Sequence, residues 1–225
     1  CVRVLPYNKK NKNLADLSFL IIDGDEKYIN KIIIIGNTRS NDNVIRRELS
    51  FLEGDPFNKS KLTYSINALK RLGYFKSVGY RLEESNSSGF LDVIIEVKET
   101  NTGSVSFGVG YSSLNNTSVT FGLNEKNFLG EGKKVRLEVS LSEKKSTYNI
   151  GITEPYFLDR QLSLYGDVFN VESENTKGDI KSSSTGFGFG LGFKNKSLSQ
   201  SYKYKFSTSE TTTSTSSTSA SITGE

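Results

Sequence analysis

The sequence predicts an α+β domain followed by an antiparallel sheet of the kind that forms a transmembrane β-barrel. Residues 28–99 read as strand, helix, helix, strand, strand, with apolar residues at helical spacing in both helices. From residue 100 onward, apolar and polar residues alternate with a period of two, which is typical of strands. No apolar run approaches the roughly 18 residues of a membrane helix, so a membrane-spanning part would have to be built from strands.

Composition excludes several kinds of chemistry. The 225 residues contain no His, which removes Ser-His-Asp and Cys-His catalysis and the common zinc sites. The net charge of +4 is a mild and dispersed excess that does not indicate nucleic-acid binding. We therefore expect a protein that is not an enzyme and that uses no metal and no cofactor.

The first residue is Cys1 and the sequence contains no Met, so we expect a piece of a longer chain. The alternative is a lipoprotein whose mature N-terminus is Cys1. Against that alternative, Val2–Leu5 reads as a strand and not as a polar tether. Residues 1–27 hold a second strand-like run, Leu17–Ile22.

Capping residues and apolar spacing predict two helices. The first is capped by Ser40 or Asn41, and the second by Asn58 or Ser60, with Gly73 at the C-terminal cap position. Their apolar positions are Val44, Ile45 and Leu49 in the first helix and Leu62, Ile66, Leu69 and Leu72 in the second. Both helices are expected on one face of a small sheet.

Three strands complete this domain, at Ile29–Ile35, Val78–Leu82 and Leu91–Val97, and a polar turn at 83–89 joins the last two. The pair Tyr74-Phe75 follows the second helix. We interpret the pair as core, and a contact with a barrel rim or a partner is the alternative.

The alternating part predicts seven strands over residues 100–207, followed by a Ser/Thr-rich loop over 208–225 that is expected to be disordered. The first strand is Gly103, Ser104, Val105, Ser106, Phe107, Gly108, Val109, Gly110 and Tyr111. Gly and charged residues opposite the apolar face suit a wet lumen better than the core of a soluble sandwich. The positions predicted to face lipid are Val105, Phe107, Val109, Phe121, Leu137, Val139, Ile150, Phe187, Phe189, Leu191 and Phe193.

A glycine-rich run, Gly186–Gly192, could be mistaken for a nucleotide-binding loop. Its glycines fall at every second residue, alternate with apolar residues and precede no predicted helix. A phosphate loop needs a strand-to-helix turn whose amides point at the anion. The strand interpretation is therefore preferred.

Four runs in the α+β domain resemble a polypeptide-transport-associated (POTRA) domain. They are Ile34-Ile-Gly-Asn-Thr-Arg39, Val44-Ile-Arg-Arg-Glu-Leu49, Glu53-Gly-Asp-Pro-Phe57 and Leu69-Lys-Arg-Leu-Gly-Tyr-Phe75. Three later runs are similar to the opening strands and turns of the barrel in the BamA family of outer-membrane protein assembly factors. They are Gly103–Tyr111, Glu125-Lys-Asn-Phe-Leu-Gly130 and Thr153-Glu-Pro-Tyr-Phe-Leu-Asp-Arg160.

The resemblance implies a domain organisation. Residues 1–27 would be the end of a preceding POTRA domain, 28–99 the last POTRA domain, and 100–207 the N-terminal strands of a barrel that closes with about sixteen strands. An open edge in lipid leaves backbone groups unpaired at a cost of several kcal/mol each, so the fragment is not expected to be stable in a membrane alone. The location implied is the bacterial outer membrane, with the POTRA part in the periplasm.

The resemblance also implies a function, the insertion of β-barrel proteins into the outer membrane. The first barrel strand would be a lateral gate, and the edge strand Val78, Gly79, Tyr80, Arg81 and Leu82 would pair with extended client segments. The implied partners are unfolded barrel clients, accessory lipoproteins and outer-membrane lipid. The alternatives are a polypeptide secretion or translocation pore of the same superfamily and a surface adhesin, although an adhesin has no use for a periplasmic peptide-binding domain.

Overall fold

The computed structural model describes residues 2–7, 16–21, 26–113, 116–175, 180–195 and 198–213, which form three sheets and two helices. The strands are β1 Val2–Tyr7, β2 Asp16–Ile21, β3 Tyr28–Ile35, β4 Phe75–Glu84, β5 Phe90–Glu99, β6 Gly103–Ser112, β7 Asn116–Phe128, β8 Lys133–Ser142, β9 Lys145–Glu154, β10 Leu162–Asn175, β11 Ile180–Asn195 and β12 Leu198–Thr213. The helices are α1 Asp42–Arg46 and α2 Lys59–Leu72, and a short 3₁₀ turn spans Phe157–Asp159.

The α+β domain has the predicted order of strand, helix, helix, strand, strand. Its three-stranded sheet runs β3-β5-β4, with β3 parallel and β4 antiparallel to β5. One apolar core joins the helices to the sheet, and Tyr74 and Phe75 belong to it, as predicted. The Tyr74 hydroxyl also donates to the Gly132 carbonyl (3.5 Å) in the turn between β7 and β8, so Tyr74 makes the alternative contact with the barrel as well. The largest fully buried apolar side chains are Ile29, Val44, Ile45, Leu62, Leu69, Val93 and Ile95.

Helix α2 ends where the sequence predicts. The Asn58 side chain accepts hydrogen bonds from the backbone N–H of Ser60 (2.8 Å) and of Lys61 (3.2 Å), as an N-cap does. Gly73 takes a left-handed conformation at φ 72°, which a residue with a Cβ adopts only with strain. Leu62 and Leu69 point from this helix into the core.

Helix α1 is shorter than predicted, because Leu49 lies beyond it. The N–H groups of Glu48 and Leu49 bond to the carbonyls three residues back, Ile45 and Arg46, so the chain tightens into a turn after Arg46. Asn41 is the N-cap residue, but its side chain makes no capping hydrogen bond. Its backbone N–H bonds instead to the Gly130 carbonyl at 2.9 Å, outside the α+β domain.

Residues 103–213 supply a seven-stranded sheet in which sequential neighbours pair antiparallel, in the order β12-β11-β10-β9-β8-β7-β6. The number of strands is the one predicted, and the sheet is open. No helix in the described part of the chain has the length and apolar content needed to cross a membrane.

The prediction of a disordered loop is wrong for residues 208–213, which continue β12. They pair with β11 as far as Ile180 opposite Thr213. Thr is a good strand former, and a neighbouring strand already satisfies the backbone here. Residues 214–225 lie outside the described part of the chain.

The N-terminal runs form a hairpin-like pair. β1 and β2 pair antiparallel, from Val2 opposite Ile21 to Tyr7 opposite Asp16. The two predicted strands are therefore present. Their assignment to a preceding domain stays a prediction.

Candidate functional site

The predicted edge strand of the α+β domain lies within β4, at the border of the three-stranded sheet. In the described residues β4 pairs only with β5. Val78 points into the core, whereas Gly79, Tyr80, Arg81 and Leu82 are exposed. One side of β4 is thus open to another strand, and its use by a client stays a prediction.

The opposite border, β3, is covered by the chain's own groups at Ile29 and Ile32. Ile29 donates its N–H to the Asp55 carbonyl (2.9 Å) and accepts from the Gly54 N–H (2.7 Å). The Ile32 N–H donates to the Glu53 carboxylate at 3.0 Å, and the Ile32 carbonyl accepts from the Arg46 guanidinium at 2.8 Å. Of the two borders, β4 is therefore the one left for pairing with another chain.

The predicted gate strand is β6, and all ten of its residues are exposed. It pairs with β7 and, within the described residues, has no partner on its other side. A Cβ added at Gly108 would have no atom within 4 Å, and one at Gly110 would meet only the Ser118 hydroxyl, at 3.2 Å. The strand is therefore held on this face by few side-chain contacts.

The eleven positions predicted to face lipid share one face of the seven-stranded sheet. The pairing register joins one apolar residue from each strand into a continuous row. The row is Val105, Leu123, Leu137, Ile150, Val168, Phe187 and Phe206. Most of this face is exposed, and Leu137 and Val139 are half-buried. Contact with lipid remains a prediction.

The other face of the sheet carries mostly polar side chains and glycines. One row across the seven strands is Ser104, Asn124, Arg136, Gly151, Asp167, Gly188 and Lys205. Phe169 lies on this face at 6% exposure, with the Lys205 ammonium 3.8 Å from its ring centroid. This face of the sheet suits contact with water, and a few charged and aromatic side chains on it contact one another.

The α+β domain contacts residues 127–132, which are the end of β7 and the turn that joins β7 to β8. Asn127 is buried, donates from its side-chain nitrogen to the Ser40 hydroxyl (2.9 Å) and accepts from the Gly132 N–H (2.7 Å). A Cβ on Gly130 would lie 1.9 Å from the Arg39 carbonyl oxygen, so only glycine allows this approach. This turn therefore packs closely against the loop between β3 and α1.

Glu99, the last residue of β5, organises the same loop. Its carboxylate accepts from the Thr38 hydroxyl (2.8 Å) and from the N–H groups of Arg39 (2.9 Å) and Ser40 (2.7 Å). Burial raises the pKa of Glu99, but these hydrogen bonds outweigh burial and lower its pKa below the usual value. A cleft of about 330 Å³ lies beside it, between the α+β domain and the β7–β8 turn.

A second contact joins the α+β domain to the turn between β9 and β10. The Tyr156 hydroxyl donates to the Glu48 carboxylate at 2.9 Å, and the Arg47 guanidinium carbon lies 4.3 Å from the Tyr156 ring centroid. Burial, the Glu48 charge and this hydrogen bond raise the pKa of Tyr156 to about 12. Tyr156 is therefore protonated and acts as a donor at neutral pH.

Sequence reasoning missed the junction residues Ser40, Arg47, Glu48, Asn127 and Tyr156. They carry polar groups and follow no apolar periodicity that would mark them. The sequence does indicate turns around Asn127 and Tyr156, but it does not show which residues these turns contact.

Two family models match the chain. Residues 27–100 match POTRA, the surface antigen variable number repeat, and residues 127–224 match the Omp85 superfamily domain. The chain therefore belongs to the Omp85 superfamily, with a POTRA domain preceding part of its barrel.

Within that superfamily the similarity is to BamA. The chain is 32% identical over 174 residues to the outer membrane protein assembly factor BamA of Nitratidesulfovibrio vulgaris, covering 75% of this chain and 22% of that relative. The structure resembles the crystal structure of BamA from Haemophilus ducreyi lacking POTRA domains 1-3, with a TM-score of 0.81 and 28% identity, covering 94% of this chain and 41% of that one. CdiB from Acinetobacter baumannii has a TM-score of 0.57 at 15% identity, which shows the fold alone.

These matches confirm the predicted family, the fold class and the location. The barrel strands belong to the outer membrane and the POTRA domain to the periplasm. The relatives are assembly factors, in agreement with the expectation of a protein that is not an enzyme. The chain spans about a fifth of the length of the curated relative it matches.

Proposed function

We propose that this chain is the part of an outer-membrane assembly factor that receives unfolded β-barrel proteins and passes them into the membrane. Clients bind as added strands at two open sheet borders. The first border is β4 in the POTRA domain, and the second is β6, the first barrel strand. Neither step requires a catalytic group, because hydrogen bonds between main chains drive strand pairing.

The observation that carries the proposal is the difference between the two borders of the POTRA sheet. On β3, backbone groups at Ile29 and Ile32 are bonded by the Gly54–Asp55 segment, Glu53 and Arg46. On β4, the exposed run from Gly79 to Leu82 pairs with β5 on one side and has no strand on its outer side in the described chain. Proteins usually protect a free edge, so an edge left open beside a protected one supports a binding role.

For β6, the support comes from its composition. Gly108 and Gly110 contribute no side chain, and glycine in a strand weakens the strand. A strand such as β6 that is hydrogen-bonded mainly to one neighbour can separate from a strand on its other side. The backbone groups of that side are then free to pair with a client. We propose that β6 acts as a lateral gate in this way.

The same reasoning extends to the other partners. The apolar row across the sheet is exposed and continuous, which suits outer-membrane lipid. Because the relatives are assembly factors, we also propose accessory lipoproteins as partners. A secretion pore of the same superfamily remains the alternative, and the likeness to CdiB does not favour it because that likeness shows only the fold.

The proposal is tested by site-specific photo-crosslinking in the full-length protein. A benzophenone amino acid replaces Tyr80 on β4, which is 39% exposed, or Tyr28 on β3, which is 38% exposed. The two positions match in residue type and exposure and lie on opposite borders of the sheet. We expect crosslinks to unfolded barrel clients from position 80 and few or none from position 28.

Two results would count against the proposal. Equal crosslinking from both positions would mean that the open border does not select clients. Crosslinks to a secreted soluble protein alone would favour the pore. As a further control, plugging the lumen should leave client insertion intact if clients leave sideways through the gate.

A further inference from the structure

Tyr156, in the turn between β9 and β10, binds two consecutive POTRA residues. Its hydroxyl donates to Glu48 at 2.9 Å, and its ring lies under the Arg47 guanidinium at 4.3 Å. One barrel side chain therefore makes a charge-assisted hydrogen bond and a cation–π contact with the end of α1.

Arg47 also reaches the other turn, between β7 and β8. Its Nη2 lies 3.5 Å from the Glu131 carbonyl oxygen, and a Cβ on Gly132 would stand 2.1 Å from that nitrogen. The guanidinium therefore fills the space that a side chain at position 132 would need. Arg47 is inserted between the two turns and contacts both of them.

The Arg47 and Glu48 side chains contact the barrel turns and not the interior of the POTRA domain. The preceding Arg46 forms ion pairs inside the domain, with Asp42 and Glu53. Arg47 and Glu48 form no ion pair among the residues that the structure describes, and the Arg47 Nε is buried without a hydrogen-bond partner. Their close polar and ring partners come from the barrel turns.

The covalent connection between the two units is short. Only residues 100–102 separate β5 from β6. Backbone hydrogen bonds from Thr100 to Tyr74 and from Lys126 to Thr102 hold the two ends of this linker. Outside the linker, Ser40 and Asn41 attach the POTRA domain to Asn127 and Gly130, and the Tyr156 contacts add an attachment to a second turn. Attachment at two separate turns restricts rotation of one body relative to the other.

We propose that Arg47, Glu48 and Tyr156 form a junction clamp that sets the direction of the open β4 border relative to β6. Tyr156 is then a positioning residue, which acts on client transfer by orienting the POTRA domain. The inference rests on the proposed function for its purpose, whereas the clamp itself can be measured without any client.

The experiment uses the full-length protein in lipid vesicles, with Cys1 and any other native cysteines replaced. Spin labels are attached at Lys59 on α2 and Lys134 on β8, which are both exposed. We compare Tyr156→Phe, which keeps the ring, with Tyr156→Ala, which removes both contacts. The matched control is Tyr64→Ala, because Tyr64 also lies under an arginine, Arg71, but within the POTRA domain.

Tyr156→Ala should broaden the distribution of distances between the labels and slow client assembly by roughly fivefold or more. Tyr156→Phe should give intermediate effects, and Tyr64→Ala should resemble the wild type in both measurements. Heat-modifiable migration checks that each barrel folds. If Tyr156→Ala does not fold, Tyr156→Phe and Glu48→Gln carry the comparison.

A chemical rescue separates positioning from simple structural support. In Glu48→Cys/Tyr156→Cys, a short bismaleimide should restore both the narrow distribution and the assembly rate, and the unbridged form should behave as Tyr156→Ala. A narrow distribution in Tyr156→Ala would overturn the clamp, and bridged protein that stays slow would overturn its positioning role. Wild-type protein that assembles no client would instead reject the proposed function, and the distance distributions would still decide the clamp.

Discussion

Two glycines of β11, Gly186 and Gly188, lie beneath larger side chains of the neighbouring strand β10, Phe169 and Asp167. Gly186 pairs with Phe169, and a Cβ at Gly186 would stand 2.5 Å from the Phe169 ring and 2.1 Å from the Phe206 carbonyl oxygen. The ring that uses this space is itself covered by Lys205 from β12. The glycine at position 186 therefore allows an aromatic side chain to cross from one strand over the next.

This packing predicts that Gly186→Ala destabilises the barrel. The added methyl group meets a backbone oxygen that cannot move without breaking the β11–β12 ladder, so we expect a loss of about 1–3 kcal/mol in the free energy of unfolding. The measurement is the guanidinium unfolding midpoint of the full-length barrel. Gly166→Ala is the control, because its Cβ would meet only an Ile152 methyl group at 3.9 Å. Equal midpoints in the two variants would contradict this account.

Residue-level features of this sheet could be predicted only in part. The alternation over Gly186–Gly192 identified a strand and the face on which each residue lies. It could not identify Phe169 as the side chain above Gly186, because that contact depends on the register between two strands. Register follows from the whole pattern of pairing and from turn lengths, which a single strand does not contain.

At the level of elements, β6 combines an open border with few contacts on its polar face. Val105, Phe107 and Val109 give it an apolar face with exposed fractions of 67%, 72% and 66%. Gly108 and Gly110 leave the other face nearly bare. The strand can therefore gain side-chain contacts on that face, where only the Ser118 hydroxyl, 3.2 Å from a Cβ at Gly110, has to move aside.

We expect Gly108→Val/Gly110→Val to slow client assembly in the full-length protein. The β-branched side chains stiffen the strand and stabilise it by about 1–2 kcal/mol, which corresponds to a rate roughly 5–30 times lower if assembly requires the strand to open. The measurement is the rate of client insertion into vesicles. Ser106→Val, on the same face of β6, adds a β-branched residue without removing a glycine and should slow assembly less. An unchanged rate in the double variant would argue against an opening first strand.

The ends of elements were the least predictable features at this scale. The predicted apolar positions of α1 extend to Leu49, but the helix ends at Arg46, and the next two side chains, Arg47 and Glu48, contact the barrel turns. β12 continues to Thr213 because β11 is beside it. In both places a neighbouring element, and not local propensity, determines where the element ends.

At the level of the whole molecule, the POTRA domain and the barrel strands are joined by contacts on two turns. The loop between β3 and α1 meets the β7–β8 turn through Ser40 with Asn127 and through the Asn41 N–H with the Gly130 carbonyl. Glu99 holds that loop by accepting three hydrogen bonds. The order of the domains could be predicted from sequence, but this junction could not, because its polar residues have no periodicity.

The Glu99 carboxylate makes the junction sensitive to acid. Since its pKa is lowered in the folded protein, its contribution is complete above the ordinary value of 4.5 and is lost as the pH falls through the lowered value. We expect amide hydrogen exchange at residues 38–41 to accelerate on acidification, by about fivefold after correction for the intrinsic rate, while α2 stays protected. Glu99→Gln should show the faster exchange already at neutral pH and little further change in acid, because an amide offers one acceptor oxygen in place of two. Exchange at 38–41 that is equally slow at neutral and acidic pH would mean that Asn127 and Gly130 hold the loop without the carboxylate, and the acid sensitivity of the junction would then be absent.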